Sequence, residues 1–592
     1  MTAVNCERLP KELQRGVGLL AANGFLKQSE KGAAVTAAPS ACIRIEKRGR
    51  NIHIAYDTPP HFYMALARAL VMDPGEYTIR PRIGELGLML DCSRNAVMLP
   101  HRVGELICMM ALAGYTYLEL YTEDTYELPG EPYFGYKRGR YTEKEIKEIA
   151  GYAAVFGITV VPCIQTLSHL SHLAGWEPYK DLMRDKATLK PGDENVYSLI
   201  RKCLIRSRQL YGTDRINIGM DEAPVGREDY IRHAARVLEL CREEGLRPEL
   251  WSDVFFSAGD DDAALRDLFD GTQTPIYWEY YETDPAVYRR AFDRIMRIAG
   301  RVSYAGCLHK HMSVAPDNGL SQRVMDTAFD AAIGCGVSDI LMTAWGDHGN
   351  ECSIWAVLPS MWYAACLLYP SPAEHDRLLA AYTGYDSSEW QLLDDINYIV
   401  RSGDKISNAG VWALYNDLLI GMMDRHIRDT ADEHYRALYR KLDPLSRRRG
   451  RFALIFRFYS GLCSLLSQKA TFSKRLYQAY GKGDRRMLGV LKDELPALAR
   501  RIDVFRRLFL RLWMNDNKGF GFEVIDLRLG GMRARCQTAQ TLLEDYLSGR
   551  LARICELEEE RLPYWAGSLK EEESFAPWFF LWDKSFTEND IL

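Results

Sequence analysis

Between about residues 81 and 370 the chain alternates short apolar runs with longer segments whose apolar residues recur every three or four positions. The short runs predict strands at 87–91, 115–121, 159–162, 215–218, 247–251, 275–278, 302–305 and 339–343. The intervening periodicity predicts helices at 100–113, 142–156, 195–211, 229–244, 263–269, 285–299, 324–335 and 354–368. Strands that read as near-continuous apolar runs belong in a parallel sheet covered on both faces. Eight strand–helix units in about 290 residues are the signature of an α/β (β/α)8 TIM barrel. A doubly wound open sheet is the competitor, and it usually carries a glycine-rich turn after its first strand. The turn here, DCSRN, has no glycine.

The flanks differ. Residues 1–80 predict a small α/β domain: helices at 10–20 and 59–72, strands at 42–46, 52–56 and 77–80. Beyond 371 the strand pattern stops, and helical periodicity runs over 393–401, 411–424, 432–442, 451–468, 486–515 and 531–547. The expected organisation is an N-terminal α/β domain (1–80), a catalytic barrel (81–370) and an α-helical C-terminal domain (371–592). The tail is rich in aromatic residues, with Tyr564, Trp565, Trp578 and Trp582, and is expected to pack on the barrel or a second subunit.

Composition narrows the function. The chain is 47% hydrophobic and 26% charged, with a formal net charge of -5. That balance argues against nucleic acid, which needs a clustered basic face. The N-terminus has no apolar segment of a secretory signal, and no run approaches the roughly 20 apolar residues of a membrane span. The 14 cysteines are scattered without a C-x-x-C pair. Those in apolar patterns, such as Cys108, Cys163, Cys203 and Cys366, are expected to be reduced and buried, as in a cytoplasmic protein.

The stretch RINIGMDEAP, residues 215–224, carries the most specific chemistry. It places Asp221 and Glu222 at the end of the fourth barrel strand, where Gly219 permits an unusual turn. Two adjacent carboxylates repel each other and are costly unless something positive uses them. In a TIM barrel, functional residues lie at the strands' C-terminal ends. Asp91 and Arg94 follow strand one, Glu123 and Asp124 strand two, and His169 strand three. Trp251 and Asp253 end strand five, Trp278 and Glu279 strand six, and Trp345 and Asp347 strand eight. Indole walls and carboxylates at a barrel mouth suit a sugar, whose apolar ring face stacks while its hydroxyls find polar partners. Ordinary glycosidases face two carboxylates across the scissile bond, about 5 to 9.5 Å apart. Neighbours on one backbone approach from the same side, so the dyad fits better where the substrate's own 2-acetamido oxygen is the nucleophile. One carboxylate would then stabilise the acetamido group and the other would protonate the leaving oxygen.

The motifs LMLDCSRN, LELYTEDTYEL, VPCIQTLSHL, INIGMDEA and TAWGD, at strands one to four and eight, resemble those of family 20 glycoside hydrolases, the β-N-acetylhexosaminidases. The architecture resembles the intracellular bacterial branch with a helical C-terminal domain. The resemblance implies that Asp221 holds the acetamido group and that Glu222 is the general acid, then the base. It implies substrate contacts from His169, Trp251, Trp278, Trp345 and Asp347, with Asp91, Arg94 and Asp124 beside or behind them. It further implies no cofactor or metal, an oligosaccharide or glycoconjugate substrate, and a homodimer.

Two departures stand out. The seventh-strand loop, SYAGCLHKHMSVAPDN, places His309 and His311 where aromatic residues are expected. The first strand has Leu86 and Gly87 where many members carry an arginine. The alternatives are therefore the same fold and dyad acting on a different or decorated amino sugar, and a sugar-binding protein without turnover.

Overall fold

The computed structural model describes residues 3–257, 262–400, 408–563, 582–587 and 589. The first six strands are β1 (Ala3–Asn5), β2 (Lys27–Gln28), β3 (Ala33–Pro39), β4 (Ile43–Arg48), β5 (Asn51–Tyr56) and β6 (Gly75–Ile79). They form one sheet in the order β2-β1-β3-β5-β4-β6, with β4 antiparallel to β5 and β6. The helix Pro59–Val71 is buried along most of its length, and it packs against both this sheet and the barrel helix Pro100–Ala113. Proline opens both helices, where its missing N–H costs nothing.

The eight barrel strands are β7 (Glu85–Asp91), β8 (Tyr117–Tyr121), β9 (Thr159–Cys163), β10 (Arg215–Asn217), β11 (Arg247–Trp251), β12 (Thr274–Trp278), β13 (Ser303–Cys307) and β14 (Asp339–Ala344). All neighbours are parallel, and β14 closes on β7 from Asp339↔Glu85 to Ala344↔Leu90. The closed parallel barrel with flanking helices is the fold expected from the sequence. β8, β13 and β14 are buried at every residue, as strands covered on both faces must be. Along β7, Leu86, Leu88 and Leu90 face the surrounding helices, while Met89 faces inward with Val161, Ile276 and Leu341. Gly87 has a packing reason: a Cβ there would lie 2.1 Å from the ring of Tyr117.

Helices dominate the remainder. Ala431–Ser446 packs on Ala453–Lys469, and Arg485–Asp516 packs on Phe522–Ser548. This second pair seats on the barrel mouth. The Leu99 N–H donates to Asp516 O, the Lys518 N–H to Val97 O, and Arg528 to His348 O (2.8 Å) and Glu351 (2.5 Å).

Several expectations need correction. The helix expected over 393–401 ends at Asp394, followed by a short tight turn to Asn397. Asn397 spends its side chain on Pro316 O and the Gly410 N–H, which ties this segment down across the fold. The helix expected over 411–424 ends at Tyr415, because Asp417 accepts the Leu419 and Ile420 N–H groups and builds a turn. Strands β1 to β3 were not expected. The aromatic tail positions Tyr564, Trp565 and Trp578 lie outside the described residues; Trp582 stacks edge-on against Tyr415.

Candidate active site

The site begins with a backbone turn after β10. Asn217 Oδ1 accepts the Gly219 N–H at 3.0 Å. Gly219 (φ 75°), Met220 (79°) and Glu222 (48°) then occupy the left-handed region. Such conformations cost free energy for side-chain-bearing residues and collect at functional sites. The Tyr230 hydroxyl donates to Met220 O, and Asp253 Oδ2 accepts the Glu222 N–H at 2.9 Å. The turn gives the two neighbouring carboxylates different exposure: the Asp221 side chain is 11% exposed, that of Glu222 59%.

His169, itself at φ 58°, stands between them. Its Nε2 lies 3.2 Å from Asp221 Oδ2 and 3.6 Å from Glu222 Oε2. Burial works against the imidazolium, yet the hydrogen bond and charge of Asp221 prevail and raise His169 to about 9. Burial likewise opposes the Asp221 carboxylate, but His169 and Gln165 hold it below the usual carboxylate range. Asp253 moves the other way, up to about 6, through burial and the adjacent Asp221 charge.

A cavity of about 180 Å³ opens beside this pair. Trp251, Trp278, Tyr280, Tyr281 and Trp345 wall it, with Arg94, His169, Asp221, Glu222, His311, Met312 and Asp347 completing the lining. The aromatic wall is cross-braced: Trp345 Nε1 donates to Tyr280 Oη at 2.9 Å, and the Trp251 and Trp345 rings sit 5.9 Å apart. Arg94 lies over the Tyr121 and Trp345 rings at 4.6 and 5.0 Å. It pairs with Asp91 (3.4 Å), Glu123 (3.6 Å) and Asp347 (3.8 Å). Asp347 is partly exposed, and Arg94 and His311 outweigh its desolvation and keep its pKa low.

Eight of the ten residues expected in the site therefore line one cavity: Asp221, Glu222, Arg94, His169, Trp251, Trp278, Trp345 and Asp347. The other two do not reach it. Asp91 is buried behind Arg94, where it accepts the Ser93 and Gly346 N–H groups and joins the loops after β7 and β14. Asp124 accepts the Gly135 N–H and an Arg138 ion pair. The left-handed Glu123 is the member of that pair that meets Arg94.

The seventh-strand histidines separate. His311 lines the cavity, with Tyr281 Oη 2.8 Å from its Nε2. His309 is buried outside it, with Nδ1 3.0 Å from Ser321 Oγ. Among the described residues no group of three or more His, Cys, Asp or Glu side chains is placed to share a metal ion. Tyr280, Tyr281 and Met312 also line the cavity, and Gln165 contacts Asp221. The run EYYE directly after β12 already carried the tyrosine signal; nothing in the sequence distinguished Gln165 from an ordinary loop amide.

Comparison with known proteins gives three findings. Residues 388–576 match the family model described as the Glycoside Hydrolase 20C C-terminal domain. The chain is 23% identical over 224 residues to the β-hexosaminidase subunit beta of Entamoeba histolytica, a match covering 34% of this chain and 38% of that protein. By structure it is similar to the Streptomyces plicatus N-acetyl-β-hexosaminidase in complex with thio-NAglucal, with a TM-score of 0.51 and 17% identity. That similarity covers 64% of this chain and 90% of the other. The GH20 exo-β-N-acetylglucosaminidase of Vibrio harveyi gives a TM-score of 0.49 at 14% identity, covering 64% and 72%.

Proposed function

We propose that the chain is a family 20 glycoside hydrolase and, on that premise, an exo-acting, retaining β-N-acetylhexosaminidase. It removes terminal β-linked N-acetylhexosamine with the substrate's acetamido oxygen as nucleophile. One observation carries the reading: the adjacent carboxylates meet at His169 on one side of an indole-walled cavity, Asp221 buried and charged against it, Glu222 more exposed.

The chemistry follows from that placement. As the acetamido oxygen attacks the anomeric carbon, its C–O double-bond character shifts and the nitrogen gains positive charge. Asp221, held ionised, accepts the N–H and offsets that charge in a buried site. Glu222 donates a proton to the departing glycosidic oxygen, then removes one from the water that opens the cyclic intermediate. The water adds from the face the leaving group vacated, so the configuration is retained. His169 keeps the two carboxylates from repelling each other. Trp251, Trp278 and Trp345 supply the apolar faces for the ring and the methyl group. Arg94 and Asp347 offer a donor and an acceptor for the outer hydroxyls.

The test is a panel of chromogenic β-GlcNAc, β-GalNAc and β-glucoside substrates, with and without a thiazoline mimic of the cyclised intermediate. Hydrolysis of the acetamido sugars alone, blocked by the thiazoline, is the expected result. Equal hydrolysis of the β-glucoside would refute the mechanism. The polar pair Tyr281–His311 in the cavity favours a second reading, the same dyad acting on a decorated amino sugar. Turnover confined to sulfated or phosphorylated GlcNAc glycosides would select it.

The reading extends to surroundings. All 14 cysteines are free, which supports a reducing, cytoplasmic setting. Among the described residues no helix is long and apolar enough to cross a membrane. Exposed Val490, Val504 and Leu527 on the two long C-terminal helices support a homodimer, which light scattering would measure.

A further inference from the structure

We propose that Gln165, just past β9, is the positioning residue that fixes Asp221 and joins the two ends of the cavity through one hydrogen-bond chain. The inference rests on the hexosaminidase reading above. Gln165 is 5% exposed and does not line the cavity. Its Nε2 donates to Asp221 Oδ1 at 2.8 Å and to Tyr121 Oη at 3.0 Å. Its Oε1 accepts the Met220 N–H at 3.3 Å. The Tyr121 hydroxyl passes the chain on to Glu123 Oε1 at 3.1 Å, and Glu123 pairs with Arg94 at 3.6 Å. Arg94, offered to the sugar's outer hydroxyls, is thereby linked to Asp221, offered to its acetamido group.

The amide's orientation is not free. Both N–H donors and the carbonyl acceptor are used. Turning the group by 180° would face Oε1 to the Asp221 carboxylate and leave the buried Met220 N–H without an acceptor, two penalties at once. The backbone accommodates this arrangement. A Cβ at Gly219 would stand 2.2 Å from Gln165 Oε1, so the glycine of the strand-four motif is what lets the amide approach. Met220 holds φ 79° with its N–H on that amide and its carbonyl on Tyr230.

A neutral donor suits the position. Asp221 must be an ionised acceptor of one geometry when the acetamido nitrogen becomes positive. His169 holds Oδ2, and Gln165 holds Oδ1. A lysine there would add a full charge that competes with the developing cation. A glutamate would set a like charge against Asp221, and a carboxylate cannot donate. Gln165 acts through Asp221 and touches no substrate atom, so its loss weakens transition-state stabilisation more than ground-state binding.

The experiment compares Gln165→Met, Gln165→Glu and Tyr121→Phe with wild type on an aryl β-GlcNAc substrate. Readouts are kcat, KM, the ratio of thiazoline to GlcNAc affinity, and the thermal midpoint. Gln165→Met should lose about 10- to 100-fold in kcat, the range for a hydrogen bond to a charged group, with KM within about threefold. Thiazoline affinity should fall with kcat while GlcNAc affinity holds, a split that loss of packing alone does not produce. Tyr121→Phe breaks the middle link and keeps the Asp221 contact, so its loss should be smaller. Gln165→Glu conserves volume and covers the case in which the methionine variant does not fold. It should lose at least as much kcat, and wild-type kcat in a folded Gln165→Glu enzyme overturns the proposal. Equal weakening of thiazoline and GlcNAc also overturns it. Wild-type protein that hydrolyses no acetamido sugar would instead overturn the underlying function.

Discussion

The two ends of the barrel are built on opposite rules. At the N-terminal end Arg215 on β10 pairs with Glu249, Glu85 (2.8 Å) and Asp339 (3.5 Å), and lies 4.0 Å over the Tyr117 ring. Ser303 and Tyr117 donate to Asp339, and Asn217 donates to Glu119. Arg215 and Asp339 gather most of these partners, and in the loops leading into the strands only glycines, such as Gly114, Gly212 and Gly300, take the left-handed region among the described residues. At the C-terminal end all nine non-glycine residues in the left-handed region, among those described, fall in the loops that follow barrel strands. Asp221, Glu222 and Asp347 there face a cavity. One end secures the closed barrel; the other stores strain and unspent polarity where a substrate can use them.

The largest break in this comparison comes at the dyad. Asp221→Asn should lower kcat by about 10²–10³-fold, the cost of losing a preorganised electrostatic stabiliser. Glu222→Gln should lower it by about 10²–10⁴-fold for substrates with poor leaving groups. Steady-state kinetics check both, and thermal midpoints should stay within a few degrees of wild type.

At the other end the effects reverse. Arg215→Met leaves Glu249 and Asp339 buried without their cation, and breaking such a pair costs about 3–5 kcal/mol. Chemical denaturation should show that loss, while kcat of the folded fraction stays near wild type. A large fall in kcat with unchanged stability would erase the contrast.

Titration separates the ends as well. Burial opposes the imidazolium, but the hydrogen bond and charge of Asp221 raise His169 to about 9, so the imidazolium is present below that pH and lost as pH rises through it. kcat/KM should therefore fall above about pH 9 in wild type, and that alkaline limb should disappear in His169→Gln. Glu119 is raised to about 8, first by burial and then by Glu249. The folded state thus binds its proton more tightly than the unfolded state. The stability it contributes is full below about 4.5 and lost as pH rises through about 8. Glu119→Gln should flatten that decline between pH 5 and 8, read from denaturation midpoints.

The smallest expected effect tests the strain directly. Lys137 sits at φ 63° in the loop after β8. Lys137→Gly relieves the left-handed penalty but loosens the unfolded chain, for a net gain under about 1 kcal/mol. A destabilisation would show that the loop's conformation is not strained.

Most of the barrel is legible in the sequence because its strands are buried on both faces. Arg247–Trp251 and the helices Pro100–Ala113 and Pro285–Ala299 match their expected bounds, since apolar periodicity decides them. The segment 393–401 misleads for the same reason: Leu393, Ile396 and Ile399 are spaced like a helix face and are buried, but Asp394 and Asn397 bond to other segments instead. Strands β1 to β3 are short or rich in alanine and carry little pattern. In the site, tryptophans and adjacent carboxylates at strand ends announce themselves. Which of Glu123 and Asp124 turns toward Arg94 depends on a φ of 48° at Glu123, and side-chain type does not encode that angle. The role of Gln165 is equally silent, because it exists only where Tyr121, Asp221 and Met220 converge.

The central claim is that the substrate's own acetamido oxygen attacks. The most direct test is kcat/KM for aryl β-glycosides whose 2-acetamido methyl carries zero, one, two or three fluorines. Each fluorine withdraws electron density from the attacking oxygen while changing the group's size little. The account predicts a steep, monotonic fall across the series. A flat series would mean that a protein carboxylate attacks instead, and would contradict the roles given to Asp221 and Glu222.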